Sequence, residues 1–587
     1  MNIANGLYQK KARRRTKFLA LVLGLWSLGI VARLFQLQVL GHARSSAKVV
    51  GQNQKTIEIV PERGAIYDRK GQILALSVPV QSIFYNPSPS ESPEEQLRPV
   101  LKLKPLLDLS GADIERIRAA LAEGDRFIYI KRKADPETTE KVKALVLGGV
   151  GFQDEKRRFY PQGTLASHVL GGVGMDDKGV GGIELKYDAI LKGTKGEQIA
   201  LLDVKGRKYH YETLQEPQSG KDLELTLDAT IQYFVETALK KAVADQEAAW
   251  GTAIASCPST GEILAMASVP DYDPNVSLPA AAEAGTNRAI RHLFEPGSMF
   301  KIVTASAALE NRRVSLTQSF DCSKGSIESA GGAIRDHQTF GTLTFPEVII
   351  ESSNVGSIQV GRQVGPPLLY QTVQAFRFGE KTGIELPAES VGIVHPLAEW
   401  TKRSLDSISI GYEISVTALQ ILQAANVIAN RGTLVPPRIV KSVAGVPVKR
   451  KSAGGEQVRV ISDQAGQALA SILERVVLEG TGKAAAAGGF AIAGKTGTTQ
   501  IYDPVRRTYQ SSKHIASFVG FVPVDKPVLS IIVVLAEPKK DAYYGGQIAA
   551  PVFREIALRT LRYKGVVPPP SPERSLLAAK GAKGKRP

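Results

Sequence analysis

The run Met299 to Leu309 (Met-Phe-Lys-Ile-Val-Thr-Ala-Ser-Ala-Ala-Leu) constrains this chain more than any other stretch. It is apolar on nearly every face, so it predicts a helix buried on all sides. Yet it carries a lysine one residue after Phe300. Pro296 and Gly297 punctuate a turn before it, which puts Ser298 at the helix start, where unpaired N–H groups and the helix dipole favour developing negative charge. Lys301 lies one turn along the same face. With no acid near it in sequence, a buried Lys301 is costly as a cation and its pKa should fall. A neutral amine beside a hydroxyl is a base beside a nucleophile. The spacing alone is weak, because Ser45 and Lys48 repeat it with no chemistry around them.

Two further motifs raise its weight. Ser352-Ser-Asn354 follows an apolar helical stretch, and a serine and an amide two apart on a turn can serve one site as proton relay and carbonyl donor. Lys495-Thr-Gly-Thr498 follows a strand-like Ala491-Ile-Ala-Gly. There Gly497 lets a substrate backbone lie close, while Lys495, Thr496 and Thr498 offer a cation and two hydroxyls to a carboxylate. A second Lys-Thr-Gly, at Lys381, sits in a loop-like context and reads as a structural turn. The ordered triplet in its contexts is the specific signal.

The rest of the chain supplies a frame. Lys10 to Lys17 holds six basic residues and no acid, and an apolar stretch runs from Phe18 to Leu40, interrupted by Arg33. It reaches spanning length if Arg33 snorkels, and reads as an uncleaved anchor rather than a signal peptide, with the basic cluster cytoplasmic. Residues 55–83 read as short strands around a turn at Asp68–Gly71, 86–150 as an exposed helical subregion, and 157–198 as glycine-punctuated loops of an irregular β-rich domain. A polar stretch near 209–221 reads as a hinge. Strands then follow at 223–227, 251–256 and 262–267, and a helix capped by Asp228. Strands at 490–498, 515–522 and 528–536, and a helix at 548–563, close a domain with an antiparallel sheet covered by helices, an α+β fold. The tail from Val566 is expected to be disordered.

The formal charge of +17 is unevenly placed. About +6 lies in residues 10–17 and +4 in the tail from Glu573, leaving a mild excess of about +7. Without basic residues interleaved with aromatics, nucleic acid is a poor partner. Cys257 and Cys322 read as two buried thiols, a single bridge being the lesser alternative, and the seven scattered histidines argue no metal and no cofactor.

The triplet resembles the S-x-x-K, S-x-N and K-T-G set of the penicillin-recognising serine acyl-transferases. Arg63-Gly-Ala-Ile-Tyr-Asp-Arg-Lys-Gly, Gly181-Gly-Ile-Glu-Leu-Lys-Tyr-Asp, Leu191-Lys-Gly-Thr-Lys-Gly, Gly261-Glu-Ile-Leu-Ala-Met-Ala-Ser, Gly411-Tyr-Glu-Ile-Ser-Val-Thr-Ala-Leu-Gln and Tyr544-Gly-Gly are similar to class B penicillin-binding proteins, over about residues 15–563. The resemblance implies a cytoplasmic tail (1–17), a transmembrane anchor (18–40), a non-catalytic pedestal or dimerisation domain (41–220), a transpeptidase domain with a five-stranded antiparallel sheet (221–565) and a disordered tail (566–587). It implies that Ser298 attacks the D-Ala-D-Ala carbonyl of a peptidoglycan stem peptide, with Lys301 as base. Ser352 and Lys495 would relay the proton, and Asn354, Thr496, Gly497 and Thr498 would bind the donor. The backbone N–H groups of Ser298 and Thr498 would form the oxyanion hole. β-Lactams would acylate Ser298 as slow substrates. Glu413 and Ala418 depart from the usual Gly and Pro, which puts local loop geometry in question. The ending resembles the division-specific, FtsI-like subgroup, with an FtsW-type lipid II polymerase and divisome proteins as partners at the inner membrane. Elongation- or sporulation-specific enzymes are alternatives. A β-lactam-hydrolysing or -sensing relative and a silent division scaffold are weaker ones, and carboxypeptidase side activity stays open.

Overall fold

The computed structural model describes residues 2–40, 54–202, 208–276, 285–448, 457–503, 505–506, 508–540 and 543–568. The expectations for Ser45–Lys48 and for the tail beyond residue 568 lie outside them.

One compact unit takes the chain up to Glu62 together with Gly193–Gly220. Helix Asn2–Phe35 continues into a π-helical turn at Gln36–Leu40. Its segment Lys10–Leu40 is, among the described residues, the one helix long and apolar enough to cross a membrane, and its apolar side chains are exposed. The unit's sheet is antiparallel, with Gly196–Leu202 between Gln54–Ile59 and Lys208–Gln215. The hinge expected near 209–221 is therefore mostly a strand. Tyr209, Tyr211 and Thr213 supply β-propensity that the polar residues between them obscure.

The second unit takes Arg63–Lys192 and the chain from Lys221 onward. Ile66–Tyr67 and Ile73–Tyr85 flank the expected turn, closed by Asp68, whose Oδ1 accepts from Lys70 N and Gln72 N at 2.8 Å each. Ile73–Tyr85 pairs with both Ile128–Ala134 and Val150–Phe159. The subregion 86–150 is thus not purely helical. Ile128 and Ile130 point into a small core with Leu103, Ile117 and Leu121, a period of two hidden among lysines and arginines. The same sheet recruits Leu223–Leu225 beside Ile66–Tyr67, and Val440–Val443 beside Leu223–Leu225.

Charged residues of the glycine-punctuated motifs converge. Arg63 pairs with Glu184 at 2.7 Å and Asp188 at 2.8 Å, and Arg158 pairs with Glu184 at 2.6 Å; Arg63, Arg158 and Glu184 are buried and Asp188 is half-buried. The glycines let backbones meet: a Cβ at Gly171 would stand 1.9 Å from the Gly181 carbonyl oxygen.

The five-stranded antiparallel sheet expected near the end of the chain is present. Its strands are β1 (Trp250–Cys257), β2 (Glu262–Val269), β3 (Ala493–Asp503), β4 (Thr508–Val522) and β5 (Leu529–Ala536), in the order β2-β1-β5-β4-β3. β5 is buried throughout, and its alternate residues enter two cores. Ile531, Val533 and Leu535 join α1 (Ala229–Asp245) and the C-terminal helix Gly545–Tyr563. Ile532 and Val534 join α2 (Lys301–Glu310), α3 (Phe345–Ile350) and the helices Ala418–Ala429 and Asp463–Leu478. Helices thus cover both faces, which explains the near-continuous apolar strands. β3 and β4 form a hairpin extending well past the strand ends expected from sequence. Cys257 and Cys322 are unpaired; Cys322 is buried as expected, whereas Cys257, at the end of β1, is only half-buried.

Candidate active site

Ser298 stands on a 3-10 turn, Gly297–Phe300, that leads directly into α2. Gly297 has φ +52°, and a Cβ there would lie 2.2 Å from Thr499 Cγ2. Only glycine fits both the backbone and the space. On the other side Gly297 N–H donates to Gly411 O at 3.0 Å, so the turn is held between the end of the Lys-Thr-Gly strand and the Gly411 loop.

From Lys301 to Ala308, α2 is buried on every face. Lys301 is fully buried and burial pushes its pKa down to about 7, partly opposed by the charge of Asp336. Its Nζ donates to Ser352 O at 2.7 Å, Asn354 Oδ1 at 2.9 Å and Ser352 Oγ at 3.3 Å. Lys495, also fully buried on β3, donates to Ser352 Oγ at 2.8 Å, and its pKa is well below the ordinary lysine value through burial and the neighbouring Lys301. Two lysines from distant parts of the chain thus converge on one serine hydroxyl. The ammonium of Lys301 is turned towards the Ser352–Asn354 segment, and among the described residues no group hydrogen-bonds the half-buried Ser298 hydroxyl.

Ser352 has φ +59°, a left-handed conformation held by its surroundings rather than by glycine. Asn354 then opens helix α4 (Asn354–Val364), whose N-cap is Ser353, with Oγ accepting from Gly356 N–H at 2.9 Å, and Asp336 reinforces that cap from a neighbouring loop. Asp336 Oδ1 accepts from Asn354 N–H and from Val355 N–H (3.1 Å), while Oδ2 accepts from Ser353 Oγ at 2.7 Å. Asn354 Nδ2 donates to Arg335 O at 2.9 Å. Sequence reasoning did not find Asp336, because it belongs to a loop with no motif of its own and reaches the site only through the fold.

On β3, Thr496 Oγ1 lies 2.9 Å from Thr481 Oγ1, and Thr498 Oγ1 accepts from Gly545 N–H at 3.0 Å. A Cβ on Gly497 would press Ser517 Oγ at 2.4 Å and Met299 Cγ at 3.0 Å, so this glycine packs the strand against the nucleophile turn. β3 is the edge of its sheet, which leaves one side of its backbone free to pair with an extended peptide. Lys381-Thr-Gly383 lies in a loop, where Thr382 N–H donates to Glu389 Oε1 at 2.8 Å.

The two departures from the family pattern are accommodated. Glu413 adopts φ +58°, the backbone that a glycine would take freely. Ala418 is the first residue of helix Ala418–Ala429, a position suited to proline, and Thr417 and Gln420 close a capping box around it.

Comparison with known proteins gives the family. The penicillin binding protein transpeptidase domain matches residues 251–558 and the penicillin-binding protein dimerisation domain matches 58–225. Stage V sporulation protein D of Bacillus subtilis is 33% identical, covering 95% of this chain and 86% of that protein. Peptidoglycan D,D-transpeptidase FtsI of Escherichia coli is 32% identical over 87% of this chain and 85% of its own length. The crystal structure of penicillin binding protein 3 from Mycobacterium tuberculosis, complexed with aztreonam, has a TM-score of 0.68 at 28% identity, covering 88% of this chain and 98% of its own. The chain therefore belongs to the class B penicillin-binding proteins, the serine peptidoglycan D,D-transpeptidases that pair a transpeptidase domain with a dimerisation domain.

Proposed function

We propose that Ser298 is the nucleophile and that the chain cross-links stem peptides during septal wall synthesis. The observation that carries the chemistry is the convergence of Lys301 and Lys495 on Ser352 Oγ. A lysine with pKa near 7 is a free amine in a large fraction of molecules at neutral pH. As an amine it keeps two N–H donors, for Ser352 O and Asn354 Oδ1, and gains a lone pair for a proton.

Ser298 Oγ attacks the carbonyl between the two D-Ala residues, and its proton passes to Lys301. The backbone N–H groups of Ser298 and Thr498 hold the oxyanion. Ser352, with Lys495 behind it, protonates the departing D-Ala nitrogen as the C–N bond breaks. Asn354 holds the donor backbone, Gly497 admits it against β3, and the hydroxyls of Thr496 and Thr498 hold the terminal carboxylate. The amine of a second stem peptide then attacks the ester, releases Ser298 and forms the new amide. In a β-lactam the departing nitrogen stays tethered to the acyl group, which blocks the acceptor and prolongs the ester.

Residues 1–17, 18–40, 41–220 and 221–565 serve as cytoplasmic tail, anchor, pedestal and catalytic domain, with the catalytic part outside the inner membrane. The basic cluster before the apolar helix supports that orientation. The likeness to FtsI supports the septal role and an FtsW-type polymerase with other divisome proteins as partners, while the likeness to a sporulation protein favours a sporulation role as the second reading.

The test is covalent labelling of membranes bearing the full chain with a fluorescent penicillin. Persistent label on wild type and none on Ser298→Ala is expected. Equal label on both would overturn the assignment of the nucleophile.

A further inference from the structure

Three residues before Ser298, the carboxylate of Glu295 joins three elements. Its Oε1 accepts from Glu413 N–H at 2.9 Å and from the Tyr509 hydroxyl at 3.0 Å. Glu413 belongs to the loop whose Gly411 already receives Gly297 N–H. Tyr509 lies on β4 near the far end of the β3–β4 hairpin, directly across from Tyr502 on β3, and its ring meets those of Tyr412 and Tyr502 edge-on at 5.5 and 5.3 Å. Phe294 and Val416 exchange two backbone hydrogen bonds of 3.0 Å beside this junction. One carboxylate oxygen therefore links the nucleophile turn, the Gly411 loop and the hairpin that carries Lys495 and Thr498.

The second oxygen, Oε2, is buried and, among the described residues, has no hydrogen-bond partner. Glu295 also lines a cavity of about 820 Å³ together with Phe294, Ser415 and Tyr502. The titratable groups around it are Tyr412, Glu413 and Tyr509 at the junction, and Arg288, His292, Tyr502 and Glu537 on the cavity wall. A carboxylate so placed forms strong, charge-assisted bonds through Oε1, and its proton has an obvious seat on Oε2.

We infer that Glu295 is a positioning residue for the acylation step: its ionised carboxylate fixes the nucleophile turn against the β3–β4 hairpin, and protonation at Oε2 loosens that link. Burial, together with the charge of Glu413, pushes its pKa up to about 7 despite the two donors, which puts the change in the range where the enzyme works. The inference rests on the reading of Ser298 as nucleophile.

The experiment measures the second-order rate of acylation by a fluorescent penicillin from pH 5.5 to 8, for wild type, Glu295→Gln and Tyr509→Phe in the full-length chain. Glutamine keeps an acceptor in the Oε1 position without the charge, so it imitates the protonated form. Glu295→Gln is expected to be about tenfold slower than wild type at pH 8 and equal to it at pH 5.5, since a charged acceptor outweighs a neutral one by about that factor. Tyr509→Phe removes a donor from the carboxylate, so its rate falls at a higher pH than in wild type. A deficit of Glu295→Gln that is the same at every pH would mean a merely structural role and would overturn the inference, as would an unchanged rate.

Thermal melting reads the same proton without acylation. A carboxyl whose folded pKa is raised binds its proton more tightly when folded. Wild-type stability should therefore fall relative to Glu295→Gln as pH rises from about 4.5 to about 7. A pH-independent melting difference would equally refute the link. A chain that takes no label at all would instead overturn the reading of Ser298, leaving the melting test intact.

Discussion

Replacing Lys301 with methionine should abolish acylation and stabilise the fold. The side chain is fully buried, with no carboxylate in hydrogen-bond contact. A fall in pKa from 10.5 to about 7 corresponds to about 5 kcal/mol of folding stability, at 1.36 kcal/mol per pH decade. Methionine fills a similar volume without the charge, but it leaves Ser352 O and Asn354 Oδ1 without their donor, which costs about 2 kcal/mol. The net gain is thus about 3 kcal/mol at pH 7. The sign with pH follows from linkage. Between pH 7 and 10.5 the unfolded chain holds the Lys301 proton and the folded chain releases it, so wild type gains stability as pH rises. The advantage of Lys301→Met should be constant below pH 7 and shrink by more than 1 kcal/mol for each decade above it. Urea denaturation at pH 6, 7, 8 and 9 measures this, alongside penicillin labelling. A constant advantage from pH 7 to 9, or a loss of stability at pH 6, would refute the idea that the active site holds its base at an energetic cost.

Asp336→Asn removes the one acidic charge that opposes the fall in the Lys301 pKa. The acid limb of the acylation rate should move to lower pH, while the maximal rate drops several-fold as the cap on α4 weakens, by about 1 kcal/mol; a pH-rate profile with penicillin separates the two effects. Glu184→Gln, distant in sequence from the triplet, leaves Arg63 and Arg158 buried without their shared anion and should destabilise the chain by about 3–5 kcal/mol, with the acylation rate per folded molecule unchanged. Denaturation and active-site titration check this.

How far the sequence could be read depended on the range of the interaction. The Ser298 turn, Ser352–Asn354 and Lys495–Thr498 are visible because each needs neighbouring residues of fixed type, and the structure brings Lys301 and Lys495 together on Ser352. The five strands of the catalytic sheet were visible from their apolar runs, though the β3–β4 extension was not, because its outer part is polar and aromatic. Asp336 and Tyr509 were invisible: each acts through a single hydrogen-bonding group delivered by a loop or hairpin, and nothing local marks it. At Lys208–Gln215 polarity outweighs the alternating tyrosines, so the sequence reads as a hinge where the structure has a strand. Lys301 adds weight to the triplet because it sits in a helix that is otherwise apolar, and few contexts tolerate a buried lysine.

The sheet that recruits Leu223–Leu225 and Val440–Val443 alongside Ile66–Tyr67 bears on how the molecule can be cut. Strands from early, middle and late parts of the chain complete one another's backbone hydrogen bonding there. A fragment beginning at residue 221 would keep the nucleophile and both lysines but expose the flank of Leu223–Leu225 that Ile66–Tyr67 covers, an unpaired edge inviting association with other chains. The boundary that is cleanest in sequence is therefore a poor place for scissors, and a soluble enzyme is better sought by trimming ahead of Gln54, which keeps both Gln54–Ile59 and Ile66–Tyr67 with their partners, than by isolating the catalytic half.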